Sequence, residues 1–288
     1  MINMTIDIKG HSGCNIDILE IDDKLYVKKS TLDPKYLNRL YLQGDKQLHD
    51  NSLGGSIVNP KIHELIKNDK EAYILMDYVY AKNFIDYFEN ASPEDINHFI
   101  ETFIDYINKE LDECEIKSVN KSIFIDKFNS VKNNCENNKL TKDNEKVKVI
   151  LNDCEKKFNN LPDIIYLPCN ICHGDLTFSN ILFTSNKFYF IDYLDSFIET
   201  PIQDIVKLRQ DTKYFWSTLM YTKKYDIVRL NMIFNYIDNK IDNYFKNNNE
   251  YYVKHYEILQ VMNILRILPY VKKAHVRDFV LNILSSFI

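Results

Sequence analysis

The stretch from Pro168 to Asp192 constrains this chain more than any other, because it sets polar residues at fixed spacing between short apolar runs. It reads PCNICHGDLTFSN, then ILF, TSNK and FYFID. The apolar runs at 181–183 and 188–192, joined by the polar turn 184–187, read as a hairpin. Such a hairpin returns Asp192 to the side of Asn180, which follows Asp175 by five residues. Asn180 and Asp192 would then face one magnesium site, with Asp175 in the loop beside them.

The same stretch contains Cys169-Asn-Ile-Cys172-His173, the spacing by which a c-type haem is attached. The rest of the chain weighs against haem. Covalent haem belongs to exported proteins, and the start, MINMTIDIKGHSG, has no basic segment followed by an apolar run. No apolar stretch is long enough to span a bilayer, so a cytoplasmic protein without a membrane partner is expected. Six cysteines over 288 residues read as reduced thiols packed as small hydrophobes, and no second ligand pair for zinc accompanies Cys114, Cys135 or Cys154. The net charge of -5, with lysines scattered among acids, offers no basic stripe to a nucleic acid.

Periodicity divides the chain near residue 80. Segments 4–8, 15–20 and 24–29 alternate apolar and polar residues as half-buried strands do, a helix runs from Pro34 to about Asp50, 51–60 is turn-rich, and 72-AYILMDYV-79 is a nearly continuous apolar strand. Beyond it, Ser92-Pro93-Glu94-Asp95 starts an amphipathic helix carrying Ile96, Phe99, Ile100, Phe103, Ile107 and Leu111. Residues 133–146 read as a polar connection and 147–160 as a helix. From Asp204 onward helices are expected over roughly 204–220, 224–246, 251–268 and 275–287. The division is therefore a strand-rich lobe over 1–79 and a helical lobe over 80–288, with a ligand cleft between them.

Transfer of the γ-phosphoryl group of ATP asks little covalent chemistry of a protein: metal ions to neutralise the phosphates and a carboxylate near the attacking hydroxyl. Here the loop His173-Gly174-Asp175-Leu176-Thr177-Phe178-Ser179-Asn180, followed by Ile191-Asp192, resembles the HGDxxxxN loop and following aspartate of the aminoglycoside phosphotransferase and choline kinase-like family. The segment 200-TPIQDIVKL-208 resembles the family's helix opened by an aspartate, here Asp204. The resemblance implies an α+β, two-lobed protein kinase-like fold with a small β-rich N-lobe and a larger, mostly helical C-lobe. It implies ATP and Mg2+ as cofactors, Asp175 as catalytic base, Asn180 and Asp192 as magnesium ligands, and His173 and Asp204 as structural supports. The acceptor would be the hydroxyl of a small molecule: an amino-alcohol, choline, a sugar or an aminoglycoside. The alternative within the same fold is a catalytically silent protein that binds nucleotide or a partner protein.

The nucleotide would then lie in the N-lobe. Ser12 and Gly13, within Lys9-Gly10-His11-Ser12-Gly13-Cys14, stand where the family has a phosphate-covering loop. Lys28 and Lys29 are both candidates for the phosphate-binding lysine, and strand alternation allows only one of them to face the cleft; YVK-x-S favours Lys28 by resemblance. Met76, Asp77 and Val79 would hold adenine at the hinge. Asp45 or Asp50 supplies the acid that such a lysine pairs with, Asp45 being preferred. Asp195 and Glu199 would make an acidic pocket entrance suited to a cationic acceptor, and Tyr193, Tyr214, Trp216 and Tyr221 an aromatic cage; solvated loop acids and core aromatics are the competing readings.

Overall fold

The computed structural model describes residues 14–50 and 53–288; the expected strand at 4–8 and the loop residues Ser12 and Gly13 lie outside them. The chain enters as a hairpin of β1 (Asn15–Ile21) and β2 (Lys24–Thr31). Asp22 and Asp23 form its turn with φ of 50° and 58°, the left-handed pair that matches the twist of two strands. After α1 (Leu37–Leu48), β3 (Ile57–Val58) and β4 (Ile62–Lys67) comes β5 (Ala72–Asp77). An antiparallel sheet of order β1-β2-β5-β4 results, with α1 packed on β4 and β5. Their shared core holds Leu37, Leu40, Ala72, Ile74 and Met76.

The larger part opens with α2 (Phe84–Phe88) and α3 (Pro93–Asp112). At the start of α3, Ser92 accepts the amide of Asp95 and the Asp95 carboxylate accepts that of Ser92, so the sequence signal is a complete capping box. Then follow β6 (Glu115–Asn120), α4 (Ser122–Glu136), α5 (Glu145–Asn159), β7 (Ile164–Cys169), β8 (Ile181–Phe183), β9 (Phe188–Phe190), α6 (Pro201–Thr212), α7 (Ile227–Asn248), α8 (Glu250–Leu265) and α9 (Ala274–Ser285). β6 pairs with β7, while β8 and β9 form the expected hairpin, to which β3 adds in parallel.

α6 starts earlier than its periodicity predicts, at Pro201, and stops at Thr212; Phe215, at φ 59°, turns the chain into a short 3-10 segment over 216–220. Every residue of α6 is buried, because the helix threads the middle of the helical layer against α7 and α8. Its charged side chains are held by partners inside the protein: Asp204 and Asp211 by backbone amides, Lys207 by Asp175, and Arg209 by Asp238 and Asp242. No helix among the described residues is long and apolar enough to cross a membrane.

Candidate active site

β7 delivers the chain to His173, which is fully buried and bonded in three directions. Its amide and that of Gly174 each donate to one oxygen of the Asp204 carboxylate, at 2.6 and 2.7 Å. Its ring Nε2 lies 2.8 Å from the carbonyl of Ile191, and its Nδ1 lies 3.2 Å from the amide of Asp175. A carbonyl can only accept and an amide N–H can only donate, so the ring is neutral with its proton on Nε2. Burial favours the same form and pulls the His173 pKa down to about 4, against the opposing pull of the Asp175 charge.

Gly174 adopts φ 84°, and a Cβ there would sit 2.3 Å from the carbonyl oxygen of Leu194, so only glycine fits. The turn releases Asp175 with its side chain 31% exposed and its Oδ1 2.9 Å from Lys207 Nζ. Asn180 Nδ2 donates to the Asp175 backbone carbonyl (2.7 Å) and to its Oδ2 (3.2 Å). Between them, the amide of Phe178 donates to Asp211 at 2.5 Å, and the Phe178 ring packs against Phe84, Phe88 and Phe234. Asp204, Lys207 and Asp211 thus lie on one face of α6 and hold successive points of the loop, at 173–174, 175 and 178. Burial pushes Asp204 up to about 7 and Asp211 up to about 6, while the amides they accept oppose the rise.

The β8–β9 hairpin sets Ile181 opposite Phe190, and the Ile191 amide donates to the Asn180 carbonyl. Asp192 follows at φ 61°, and its Oδ1 accepts Lys29 Nζ at 2.8 Å. The structure brings Asp175, Asn180 and Asp192 together as the spacing predicts. Of the two lysine candidates, Lys29 is the one that meets Asp192. In β2 the row Val27, Lys29, Thr31 faces Met76, Ile74 and Ala72 of β5, the buried side, and Lys29 is only 4% exposed. Lys28 points to the other side and sits over the Tyr73 ring, 4.2 Å from its centre. Parity was the available signal, since Leu25 and Val27 already mark the inward row. Asp45 does not meet this lysine either: it pairs with His49 one turn along, and Asp50 is buried against the hydroxyls of Tyr106 and Tyr193.

At the hinge, Met76 is buried in the small core, the Asp77 amide donates to Lys61 and the Tyr78 amide to Leu25. The acids expected at the pocket entrance are neutralised. Asp195 accepts Arg39 Nε at 3.0 Å, and Glu199 accepts Lys46 Nζ at 2.7 Å together with the Ser196 amide. The aromatic residues do not converge on one another: Tyr193 lies against His173, Tyr214 against Phe287, and Tyr221 against Tyr225. Lys207 and Asp211 were missed in the sequence. Their signal was the spacing 204, 207, 211 on a helix whose other positions are mostly apolar.

No protein-family model matches the chain, and no curated protein matches it. Solved structures do match in shape. A protein named "Putative fructosamine-3-kinase" from Haemophilus somnus aligns at a TM-score of 0.55 and 13% identity over 96% of this chain and 88% of that one. The ADP-bound aminoglycoside phosphotransferase APH(2'')-Ib aligns at 0.51 and 16% identity, over 94% and 88%. A choline/ethanolamine kinase family protein from Mesorhizobium loti aligns at 0.54 and 11%, over 94% and 87%. At such identities the likeness establishes the fold, which is the α+β protein kinase-like one.

Proposed function

From that shared fold we propose that this chain is an ATP-dependent phosphotransferase acting on a hydroxyl of a small molecule. The observation that carries the reading is the meeting of Asp175, Asn180, Asp192 and Lys29 from three separate segments of the chain. The fold alone would not require it; the structures aligned above, whose names describe kinases of small molecules, agree with it.

The residues fit a magnesium ion held jointly with nucleotide phosphates, which takes one or two protein oxygens and fills its remaining positions elsewhere. The Asn180 amide nitrogen is committed to Asp175, leaving its Oδ1 for a cation, and Asp192 commits Oδ1 to Lys29, leaving Oδ2. When bound, the ion would neutralise the triphosphate and polarise the transferred group. Lys29 would hold the α and β phosphates, and Met76, Asp77 and Val79 would hold adenine between the lobes 1–79 and 80–288. Asp175 accepts the proton of the acceptor hydroxyl as its oxygen bonds to the γ-phosphorus; the bond to the bridging oxygen breaks, and ADP leaves with the electron pair. Lys207 positions the Asp175 carboxylate, and His173, Asp204 and Asp211 hold the loop that carries it. Cys114, Cys135, Cys154, Cys169 and Cys172 carry free thiols, which suits a reducing compartment, so the cytoplasm is the proposed location.

The test is magnesium-dependent ATP turnover over a panel of small alcohols, with MgADP binding measured in parallel. Asp175→Asn is expected to lower kcat at least 1000-fold while MgADP affinity stays within about twofold. Nucleotide binding without turnover of any acceptor would favour the silent-protein alternative, and failure to bind MgADP would sink both.

A further inference from the structure

Near Asp175, three cations from three elements gather around one additional carboxylate. Arg39 comes from α1, Lys127 from α4 and Arg266 from the end of α8; Asp195 lies in the loop after β9. Their charges act on one another: Lys127 is influenced by Arg266, Asp195 and Arg39, and Arg266 by Asp175, Arg39 and Asp195. The loop after β9 ties the cluster to the catalytic loop: the Ser196 hydroxyl donates to the Gly174 carbonyl at 3.4 Å, and the neighbouring Phe197 ring meets both Arg266 and Phe124 of α4.

The pairing within the cluster is incomplete. Asp175 is bonded to Lys207 and Asp195 to Arg39. Among the described residues that leaves Arg266, whose Nη1 is buried without a hydrogen-bond partner and whose guanidinium lies 5.7 Å from the centre of the Phe197 ring. It also leaves Lys127, half-buried, with its pKa lowered first by burial and then by repulsion from Arg266. Among the described residues neither cation has a carboxylate bonded to it, and cations held partly out of water are costly until a ligand supplies one.

Resting on the phosphotransferase reading, we propose that the acceptor is an anionic hydroxyl compound, a hydroxy acid or sugar acid, whose carboxylate is held by Lys127 and Arg266 while its hydroxyl lies at Asp175. This reverses the preference for cationic acceptors that Asp195 and Glu199 suggest in the sequence, because both acids are already neutralised by Arg39 and Lys46. The planar guanidinium offers parallel N–H groups to a carboxylate, and the ammonium adds a second contact from another element.

The experiment uses sets of probes matched in shape and differing in charge: glucuronate, glucose and glucosamine, and glycerate, glycerol and serinol, with choline added. MgADP affinity is measured first, by calorimetry, and its absence would fail the phosphotransferase reading itself. Binding of each probe to the MgADP-loaded protein is then followed by saturation-transfer NMR, and ATP turnover is followed alongside. The anionic member of at least one set is expected to bind at least tenfold more tightly than its neutral and cationic counterparts. That advantage should be lost in Lys127→Met, a half-buried surface position, with MgADP affinity unchanged within twofold. Equal or better binding of glucosamine, serinol or choline, no response from either anion, or a Lys127→Met defect confined to nucleotide affinity would each overturn the proposal.

Discussion

His173 holds the catalytic loop only as a neutral ring, since a proton on Nδ1 would remove the acceptor of the Asp175 amide. Its folded pKa of about 4 lies below the ordinary 6.5, so the stability it lends is full above the ordinary value and is lost as pH falls toward the folded one. Nitrogen-15 NMR of the ring should show the Nε2–H tautomer throughout and no titration until about pH 4; a midpoint near 6.5 would contradict the assignment. The two neighbouring lysines separate as cleanly. Lys29→Met is expected to raise the KM for ATP at least tenfold by removing a cation bonded to Asp192, whereas Lys28→Met, which frees a ring of Tyr73, should change it less than twofold. Residue identity within the loop was legible because HGDxxxxN and the hairpin are local in sequence. The lysine was legible only through strand parity, which YVK-x-S does not carry, and the face of β2 that meets β5 is fixed by a pairing between distant segments.

Among the elements, α6 carries the site although it contributes no atom to the proposed reaction. Asp211 accepts the amides of Phe178 and Ser217 and the Ser217 hydroxyl. Asp211→Ala orphans all three, and a loss of about 2–4 kcal/mol is expected on denaturant unfolding, together with a fall in kcat because the loop loses its support at Phe178. Asp204 was recognisable as an acid beside a helix-opening proline, but Asp211 reads as a surface residue until one knows that α6 is buried all round. Elsewhere the legible elements were those with caps or strict periodicity, such as α3. β4 and β6 escaped because they sit at sheet edges with mostly polar faces, β4 with an irregularity between Ile62 and Glu64. α4 escaped although Phe124, Phe128, Val131 and Cys135 recur at helical spacing, its last turn running into the polar stretch taken as a connection.

Across the whole molecule the two cores differ greatly in size. Among the described residues the small one holds six buried hydrophobic side chains, and the large one extends from α2 to α9. Amides of β1 and β2 should therefore exchange with deuterium well before those of α6 and α8, and MgADP should slow the former selectively; equal protection in the absence of ligand would argue against separate cores. The strand-rich and helical halves were readable from the change of period near residue 80, since local pattern reports which kind of core a segment joins. What it does not report is the route of the chain. β3 lies between α1 and β4 in sequence, yet Ile57 is buried in the large core and pairs with Phe188 in the sheet that ends at Asp192. The chain thus makes a stitch through the larger half before returning to finish the smaller one. Severed between Val79 and Tyr80, the protein would behave as a fragment pair that reassembles by strand donation, the amino-terminal piece bringing with it the strand that backs the proposed metal aspartate.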